Sequence, residues 1–171
     1  AEASYSIKSE EHIYNFAIYG ISENGTDKSA TYIMIASFNA ETKKVTYAEF
    51  NAHMVVYIPA IADKVEYSVG PLKEAYEWGG ALLLTHTLKQ NFGVDINGYI
   101  EMNMSVAEKL IDQVGGIEIG GSKKNGAEAI DYVGQNLNLT GELVKTLATA
   151  IFKSGIGGML DCLDIVIAET S

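Results

Sequence analysis

Residues 107–119 read AEKLIDQVGGIEI, and this stretch decides the predicted fold class because it contains a helix, a stop and a strand in succession. The letters SVAE at residues 105–108 have the side-chain spacing of a capping box, which predicts that a helix begins there. Gly115 and Gly116 predict its end, because glycine tolerates the left-handed backbone conformation that closes helices. Residues 117–119 predict a short strand. An α/β pattern is therefore expected around this segment.

Toward the N-terminus, the sequence predicts short strands separated by polar connections. Apolar, β-branched and aromatic residues dominate four such stretches, at 14–19, 31–38, 45–50 and 55–58. Residues 39–44 resemble a turn that joins the second and third of these strands into a hairpin. Residues 21–29 are rich in Ser, Asn, Gly and Asp, which predicts a long polar loop after the first strand. A less regular stretch is expected from residue 59 to residue 80.

The second half of the chain predicts helices. Leu84, Leu88 and Phe92 recur every four residues, which predicts a helix over residues 81–92 that ends at Gly93. Further elements are predicted as a strand at 99–102, a helix capped by Asn125, a helix capped by Thr140 that stops at Gly155, and an apolar periodic segment at 159–166. Because strands and helices interleave, we expect an α/β or α+β sandwich, with residues 1–171 forming a single domain.

The composition argues against two classes of partner. The 171 residues are 47% apolar and carry a net charge of −10. Nucleic acids and anionic membrane surfaces both require a cationic face, so binding to either through charge is not expected. No apolar run approaches the roughly 18 to 20 residues that span a bilayer. Cys162 is the single cysteine, so an internal disulfide is not possible.

The chain contains no arginine, and its 12 lysines are the only cationic side chains apart from the three histidines. Arginine binds phosphate and pyrophosphate groups bidentately through a planar fork that stays charged at any working pH. Lysine supplies a charge without this fork. The composition therefore predicts weak recognition of pyrophosphate.

Several segments, in the right order, resemble the LytR-CpsA-Psr family of extracytoplasmic enzymes that attach glycopolymers to bacterial cell walls. The resemblance is carried by NFAIYGI at 15–21, the paired strands at 31–50, YEWGG at 76–80, AEKLIDQVGGIEI at 107–119, residues 125–133 and residues 159–171. It implies a three-layer α-β-α sandwich around a central mixed β-sheet. It also implies a domain on the extracytoplasmic face of a bacterial membrane, anchored by an N-terminal helix that this chain does not include.

The family reaction, as the resemblance implies it, transfers a polyprenyl-pyrophosphate-linked glycan to a hydroxyl of a wall polymer. Aspartates hold Mg and arginines hold the pyrophosphate. Following the motifs, the aspartates fall at Ser22, Ala30 and His53, and the arginines fall at Lys28, Ala52, Gly134, Asn136 and Lys145. Of these positions, Lys28 and Lys145 keep a cation. Charge that accumulates on a leaving pyrophosphate must be neutralised, so loss of both kinds of group removes what the reaction uses.

The interpretation favoured by these losses is a catalytically impaired pseudoenzyme, with no catalytic residue and no cofactor. A polyprenyl-linked lipid or another apolar ligand is the expected partner, because an apolar pocket needs no arginine. Cell-wall glycopolymer or active paralogues are further candidate partners. Lipid binding would be favoured by an apolar tunnel beneath Lys28, Ala52 and Asn136, whereas a closed core there would argue against it.

Two alternatives remain open at this point. The first is an active Mg-dependent phosphotransferase that uses Lys28 and Lys145, with a carboxylate supplied by Glu23, Asp27 or Glu49. The second is a non-enzymatic α/β interaction domain whose similarity to the family is limited to the fold.

Other residues able to do chemistry lack the neighbours that they would need. Histidine side chains can act as general bases near neutral pH, but no partner for His53 is identifiable, so a polar pocket or surface residue is favoured. His12, His86 and Cys162 share no spacing typical of metal ligands. Ser29 lies in no nucleophile elbow.

Overall fold

The structure is a computed structural model that describes residues 12–60, 68–155 and 158. Eight strands and four helices are found in this part of the chain. The strands are β1 (Ile13–Asn24), β2 (Asp27–Asn39), β3 (Lys44–Phe50), β4 (Val55–Ile58), β5 (Ser68–Pro71), β6 (Gly98–Met102), β7 (Ile117–Ile119) and β8 (Ser122–Lys124). The helices are α1 (Leu72–Phe92), α2 (Met104–Gln113), α3 (Gly126–Gln135) and α4 (Thr140–Lys153), with a 3-10 turn at Leu137–Leu139.

The central sheet has the strand order β3-β2-β1-β6. β1 and β2 are antiparallel, β2 and β3 are antiparallel, and β6 runs parallel to β1. The parallel pair is possible because the long connection from β1 to β6 contains a crossover helix, α1. Two small antiparallel ribbons, β4–β5 and β7–β8, complete the strands of the described residues. The central sheet is mixed, as predicted.

Helices cover both faces of this sheet. Successive side chains of a strand point to opposite faces, and β1 buries Ala17 and Tyr19 in the cluster that contains α1. Ile18, between them, is buried with α2, α3 and α4 on the other face. β2 follows the same rule, with Ile33 in the first cluster and Met34 in the second. The predicted α-β-α sandwich is thereby confirmed.

Two local predictions are confirmed in detail. The turn between β2 and β3 forms because the Asn39 side chain accepts hydrogen bonds from the backbone N–H groups of Glu41 and Thr42, at 3.0 and 2.9 Å. At the start of α3, the Asn125 side chain accepts from the Glu128 backbone at 2.9 Å, and the Glu128 carboxylate accepts from the Asn125 backbone at 3.0 Å. This is a complete capping box.

The polar loop predicted at residues 21–29 is wrong. β1 continues to Asn24 and β2 starts at Asp27, so only a tight turn at Gly25 and Thr26 separates the strands. Residues 22–28 are exposed, and a ladder of backbone hydrogen bonds does not require apolar side chains. The polar composition therefore marks a solvated end of the hairpin, and this end holds several of the predicted site positions.

The helix starts also differ from the predictions. α1 begins at Leu72 and passes through a break at Gly79 and Gly80, so residues that were expected to be irregular are helical. α2 is capped by Asn103, whose side chain accepts from the Val106 backbone at 2.9 Å, and not by Ser105. Thr140 does not cap α4 through its side chain, because its hydroxyl donates to the Leu137 carbonyl at 2.8 Å.

The apolar segment predicted at 159–166, which includes Cys162, lies outside the described residues. Within the described part of the chain, none of the helices has the length and apolar character that crossing a membrane requires.

Candidate functional site

The far end of the β1–β2 hairpin places three predicted site positions side by side. The strand register shifts between Gly20 and Ile21, after which Ile21 pairs with Ala30 and Ser22 pairs with Ser29. Lys28 lies one pair further along. Ser22 and Lys28 are exposed, whereas Ala30 is fully buried in the cluster around α1.

Carboxylates surround this end of the hairpin. Lys28 Nζ lies 3.0 Å from Glu23 Oε1, directly across the strand pair. The Ser29 hydroxyl donates to Glu77 Oε1 of α1 at 2.8 Å, and Lys73 Nζ lies 3.9 Å from the same oxygen. Glu77 belongs to the YEWGG segment but was not among the predicted site residues. Each of these two lysines has a carboxylate partner.

Ala52 and His53 lie in the turn before β4, whose backbone carbonyl groups bond to the start of α1. The Ala52 carbonyl accepts from the Lys73 backbone N–H at 2.9 Å, and the Met54 carbonyl accepts from the Leu72 N–H at 2.9 Å. These bonds satisfy two of the donors left free at the start of α1. The Ala52 side chain is buried, and His53 is exposed with its backbone N–H bound to the Asn51 side chain at 2.9 Å. The Ala52 carbonyl therefore stabilises the start of α1.

Lys145 and Glu49 meet on the other face of the sheet. Lys145 Nζ of α4 lies 3.4 Å from Glu49 Oε2 of β3. Tyr32 of β2 is close to both elements, and its pKa is raised by burial and by the Glu49 carboxylate. A Cβ placed on Gly141 would lie 3.2 Å from the Tyr32 hydroxyl oxygen and 3.5 Å from Glu49 Oε2. The first turn of α4 is thus packed closely against this polar group.

Gly134 and Asn136 lie at the end of α3. Gly134 is exposed. Asn136 ends the helix, and its side-chain amide donates to the Tyr132 carbonyl at 2.8 Å. Its backbone N–H donates to Val133 and its carbonyl accepts from Leu139. These bonds stay within α3 and the turn that follows it, so Asn136 stabilises a helix end.

The three carboxylates considered for a metal are separated or already bound. Glu23 and Glu49 are the partners of Lys28 and Lys145, on different strands. Asp27 lies at the hairpin turn, where it accepts from Thr26 at 3.4 Å. Among residues 12–60, 68–155 and 158, no three His, Cys, Asp or Glu side chains are arranged to hold a metal ion. His12 Nε2 lies 3.3 Å from Glu41 Oε1, and His86 is exposed on α1.

An apolar cavity of about 280 Å³ lies between the sheet and α4. Its walls are formed mainly by Phe16 and Ile18 of β1, Ile100 and Met102 of β6, and Ala148, Ile151 and Phe152 of α4. None of Lys28, Ala52 and Asn136 lines it, and among the described residues no apolar cavity lies beneath those three, so by the criterion set from the sequence the structure argues against lipid binding at that place. Ala52 instead fills the cluster on the opposite face.

Small side chains explain where this space arises. Gly98 of β6 and Ala148 of α4 both line the cavity, and neither extends far enough to fill the layer between sheet and helix. Phe152 lies at the end of α4, where its ring stacks on Phe38 at 5.3 Å and tilts against Phe16 at 5.8 Å. Gly98 is the first residue of β6 and Ala148 is a buried residue of α4, and neither position marks a cavity in the sequence, because the space depends on the distance between the sheet and the helix.

Lys145 lies on α4, the helix that forms one wall of the cavity, whereas its partner Glu49 lies on β3, which β2 separates from β1. Lys145 precedes Ala148 by three residues, which corresponds to about 4.5 Å along a helix axis. The Tyr47 hydroxyl ties the same turn of α4 to β3, because it donates to the Lys145 carbonyl at 3.1 Å and contacts Thr149. Of the predicted site positions, Lys145 is therefore the closest in sequence to a residue that lines the cavity.

The comparisons with known proteins agree on one family. The sequence model of the LytR_cpsA_psr family matches residues 2–142. A polyisoprenyl-teichoic acid–peptidoglycan teichoic acid transferase TagU of Enterococcus faecalis is 28% identical over 109 residues, which cover 64% of this chain and 34% of the relative. The TagU of Bacillus mycoides is 24% identical over 128 residues, which cover 73% of this chain and 40% of the relative. The chain thus spans between about a third and two fifths of these curated relatives.

Solved structures show the same fold. Protein gbs0355 from Streptococcus agalactiae superposes with a TM-score of 0.68 at 17% identity, covering 92% of this chain and 67% of that one. The LytR-CPS2A-psr family protein YwtF (TagT) with bound octaprenyl pyrophosphate lipid superposes with a TM-score of 0.64 at 14% identity, covering 94% and 77%. Because the family model matches most of the sequence and the fold agrees, this chain belongs to the LytR_cpsA_psr family.

Proposed function

We propose that this chain is a catalytically impaired LytR_cpsA_psr domain that binds a polyisoprenoid chain in the cavity between its sheet and α4. It acts at the extracytoplasmic face of a bacterial membrane, as a carrier or regulator in glycopolymer assembly or as a partner of active paralogues. The observation that carries this proposal is the pairing of Lys28 with Glu23 and of Lys145 with Glu49.

Catalysis on a pyrophosphate requires positive charge aimed at the leaving group. Here the two cations at the family's site positions already have carboxylate partners, so little free positive charge is left. The same pairing argues against the active phosphotransferase alternative, which needs Glu23 or Glu49 for Mg while Lys28 and Lys145 remain available. Ala30 is fully buried in an apolar cluster, which supports the same conclusion.

Lipid binding is supported by the cavity itself. Its walls are almost entirely aliphatic and aromatic, and its volume of about 280 Å³ is close to the lower end for small-molecule sites. An apolar chain would gain free energy on entering such a space in proportion to the area that it removes from water. The solved TagT structure contains an octaprenyl pyrophosphate lipid, which supports this class of ligand for a member of the same family.

The melting temperature in the presence of a polyprenyl phosphate tests the proposal. We expect stabilisation that is equal with Mg and with a chelator, because binding by mass action raises stability and the apolar chain supplies the affinity. Dimethylallyl phosphate, which has the phosphate but little apolar chain, should give no shift. Stabilisation only with Mg would support the phosphotransferase, and no stabilisation by any lipid would support the interaction domain.

Filling the cavity provides the matched variant. Ala148→Phe places a ring in the space next to Gly98 and should abolish the lipid-induced shift, while the unliganded protein still melts cooperatively. Leu82→Phe, at an exposed position of α1 on the opposite face of the sheet, is the control and should keep the full shift. Equal shifts in both variants would mean that the lipid binds elsewhere.

A further inference from the structure

We propose that the cavity between the sheet and α4 is a blind pocket that selects apolar chains by length. It holds about two isoprene units at the end of a chain and leaves the polar head at the end of the sheet away from Ser22 and Lys28. This inference rests on the proposed function, because it assumes that an isoprenoid chain enters the cavity. It adds the length of chain that is bound, the direction of entry and the residue that limits the length, Met102.

The volume of the cavity limits how much of a chain it can hold. An engineered apolar cavity of roughly 150 Å³ in another protein accommodates one benzene ring, which has six carbon atoms. By the same ratio, the cavity of about 280 Å³ accommodates roughly eleven carbon atoms, or about two isoprene units. The remaining carbon atoms of a longer chain stay outside the cavity, where they gain no burial from it.

The burial of the lining residues changes from one end of the cavity to the other. Gly98 begins β6 beside Phe16 of β1, and Met102 ends β6. At the Gly98 end, the lining residue Asn97 is exposed and Phe16 is half-buried. At the other end, Met102 and Ile18 are only 7% and 4% exposed. Among the described residues, solvent therefore reaches the cavity at the Asn97 end, and an apolar chain enters there and extends toward Met102.

The lining residues of α4 follow the same order. Ala148 and Phe152 both line the cavity and lie about one turn apart. Ala148 is buried, whereas Phe152 is half-buried and its ring packs against Phe16 at a centroid distance of 5.8 Å. Phe152 therefore lies at the entrance, and Ala148 lies at the blind end.

The entrance offers a polar group to the head of a ligand. The Asn97 side-chain oxygen accepts a hydrogen bond from the Asn15 backbone N–H at 2.7 Å, which fixes the orientation of the amide. An amide side chain also carries two N–H donors, which suit a phosphate oxygen. A phosphate head can therefore be bound at this end without arginine.

The family's site positions lie toward the other end of the sheet. Met102 pairs with Gly20, and β1 continues from Gly20 to Ser22, one pair before Lys28. The blind end of the cavity therefore faces these positions. β6 spans about 13 Å between its first and last residues, at roughly 3.3 Å per residue. A head that stays at Asn97 is thus held away from Ser22 and Lys28.

Calorimetric titration of the whole chain, in chelator, with dimethylallyl, geranyl, farnesyl and geranylgeranyl phosphate measures selectivity for chain length. These ligands share one head and differ by single isoprene units. We expect Kd to fall roughly a hundredfold from dimethylallyl to geranyl phosphate, because a second isoprene unit leaves water. From geranyl to geranylgeranyl phosphate, Kd should change by less than about threefold, because the added units stay outside.

Variants at the blind end move the limit. Met102→Ala enlarges this end, so farnesyl phosphate should bind roughly tenfold more tightly than geranyl phosphate. Ala148→Leu fills the same end and should weaken geranyl phosphate roughly tenfold, with dimethylallyl phosphate changed less than about twofold. Met34→Ala is the matched control, because it shortens a buried methionine of the same cluster that does not line the cavity, and it should keep the native ratios. Ala148→Leu removes no side chain, so it tests the limit even if Met102→Ala fails to fold.

The direction of entry is tested by nuclear magnetic resonance with a geranyl phosphate analogue that carries a nitroxide on its head. The nitroxide should broaden the amide resonance of Asn97 more strongly than that of Ser22. The inference is overturned if it broadens Ser22 more strongly, or if affinity keeps rising roughly tenfold with each isoprene unit up to geranylgeranyl phosphate. It is also overturned if neither Met102→Ala nor Ala148→Leu changes the ratios more than Met34→Ala does. Absence of binding by all four phosphates to the native chain would instead refute the proposed function, and this inference with it.

Discussion

Two residues at which the family resemblance expects aspartate differ in how much room they leave for a charge. Ser22 is exposed at the end of β1. Ala30 is fully buried, in the same cluster as Ala17 and Ile33. An ionised carboxylate without partners is costly in such a place, because nothing replaces its hydration. The packing around position 30 therefore disfavours an aspartate there, whereas the exposed position 22 would tolerate one.

Restoring each aspartate separately tests this distinction. Ala30→Asp should lower the free energy of unfolding by about 3 kcal/mol, because it buries a polar group and overfills the cluster. Ser22→Asp should stay within about 0.5 kcal/mol of the native chain. Urea denaturation followed by circular dichroism gives both values. If the two variants unfold at the same urea concentration, position 30 is not closed in the way that its burial indicates.

At the scale of the element, α1 depends on a break in its middle. Gly79 has φ −144° and ψ 17°, which other residues adopt, whereas Gly80 has φ 65° and ψ −161°, a region almost restricted to glycine. The break separates the segment that carries Lys73 and Glu77 from the segment that buries Leu84 and Leu88 under the sheet. Glycine therefore determines how the charged segment is directed toward the β1–β2 hairpin.

Replacing Gly79 and Gly80 by alanine, one at a time, separates the effect of backbone conformation from the effect of an added methyl group. Gly80→Ala should lower the free energy of unfolding by about 1–3 kcal/mol, because alanine is strained at this φ and ψ even though no atom lies within 4 Å of the added Cβ. Gly79→Ala adds the same methyl group at a negative φ and should cost less. Chemical denaturation of the two variants checks the difference, and equal losses would refute a conformational cause.

At the scale of the whole molecule, the sheet separates two different interiors. The layer beneath α4 contains the apolar cavity and, toward β3, the Tyr32 hydroxyl beside Glu49. The layer beneath α1 contains tyrosine hydroxyls with polar partners: Tyr19 bonds Thr85 at 2.7 Å, and Tyr76 donates to Glu101 at 2.6 Å. Burial is the main cause that raises the pKa of Tyr19, to about 12. Burial therefore raises the pKa of phenols in both layers, those of Tyr19 and Tyr32 among them.

Alkaline destabilisation should follow from Tyr19. The unfolded chain releases this phenolic proton near its ordinary pKa of 10.0, while the folded chain keeps it up to a pKa of about 12. The contribution is present below pH 10 and is lost as pH rises between these values, by at most roughly 2–3 kcal/mol. Tyr19→Phe should flatten this part of the stability profile, measured by urea denaturation at about pH 9 and about pH 11. An unchanged slope would assign the effect to other groups.

The sequence by itself determined the family, the α-β-α layers and the order of most elements. These follow from local patterns, because strand and helix periods, the Asn39 turn and the Asn125 capping box act over a few residues. It also identified which charges are missing, since the resemblance maps them position by position. It failed at residues 21–29, which form paired strands in spite of their polar composition. It also failed at the start of α1, because Gly79 and Gly80 suggested the end of an irregular stretch although the residues before them are helical.

Only the tertiary structure decided what the remaining charges do and where an apolar ligand could enter. The pairing of Lys145 with Glu49 joins residues far apart in the chain, and the cavity is lined by β1, β6 and α4, which come from separate parts of the chain. Neither has a signature in any short stretch of sequence, because both depend on distances between elements. The absence of arginine could be read from the chain alone, but the pairing of Lys28 and Lys145 with carboxylates follows from the fold.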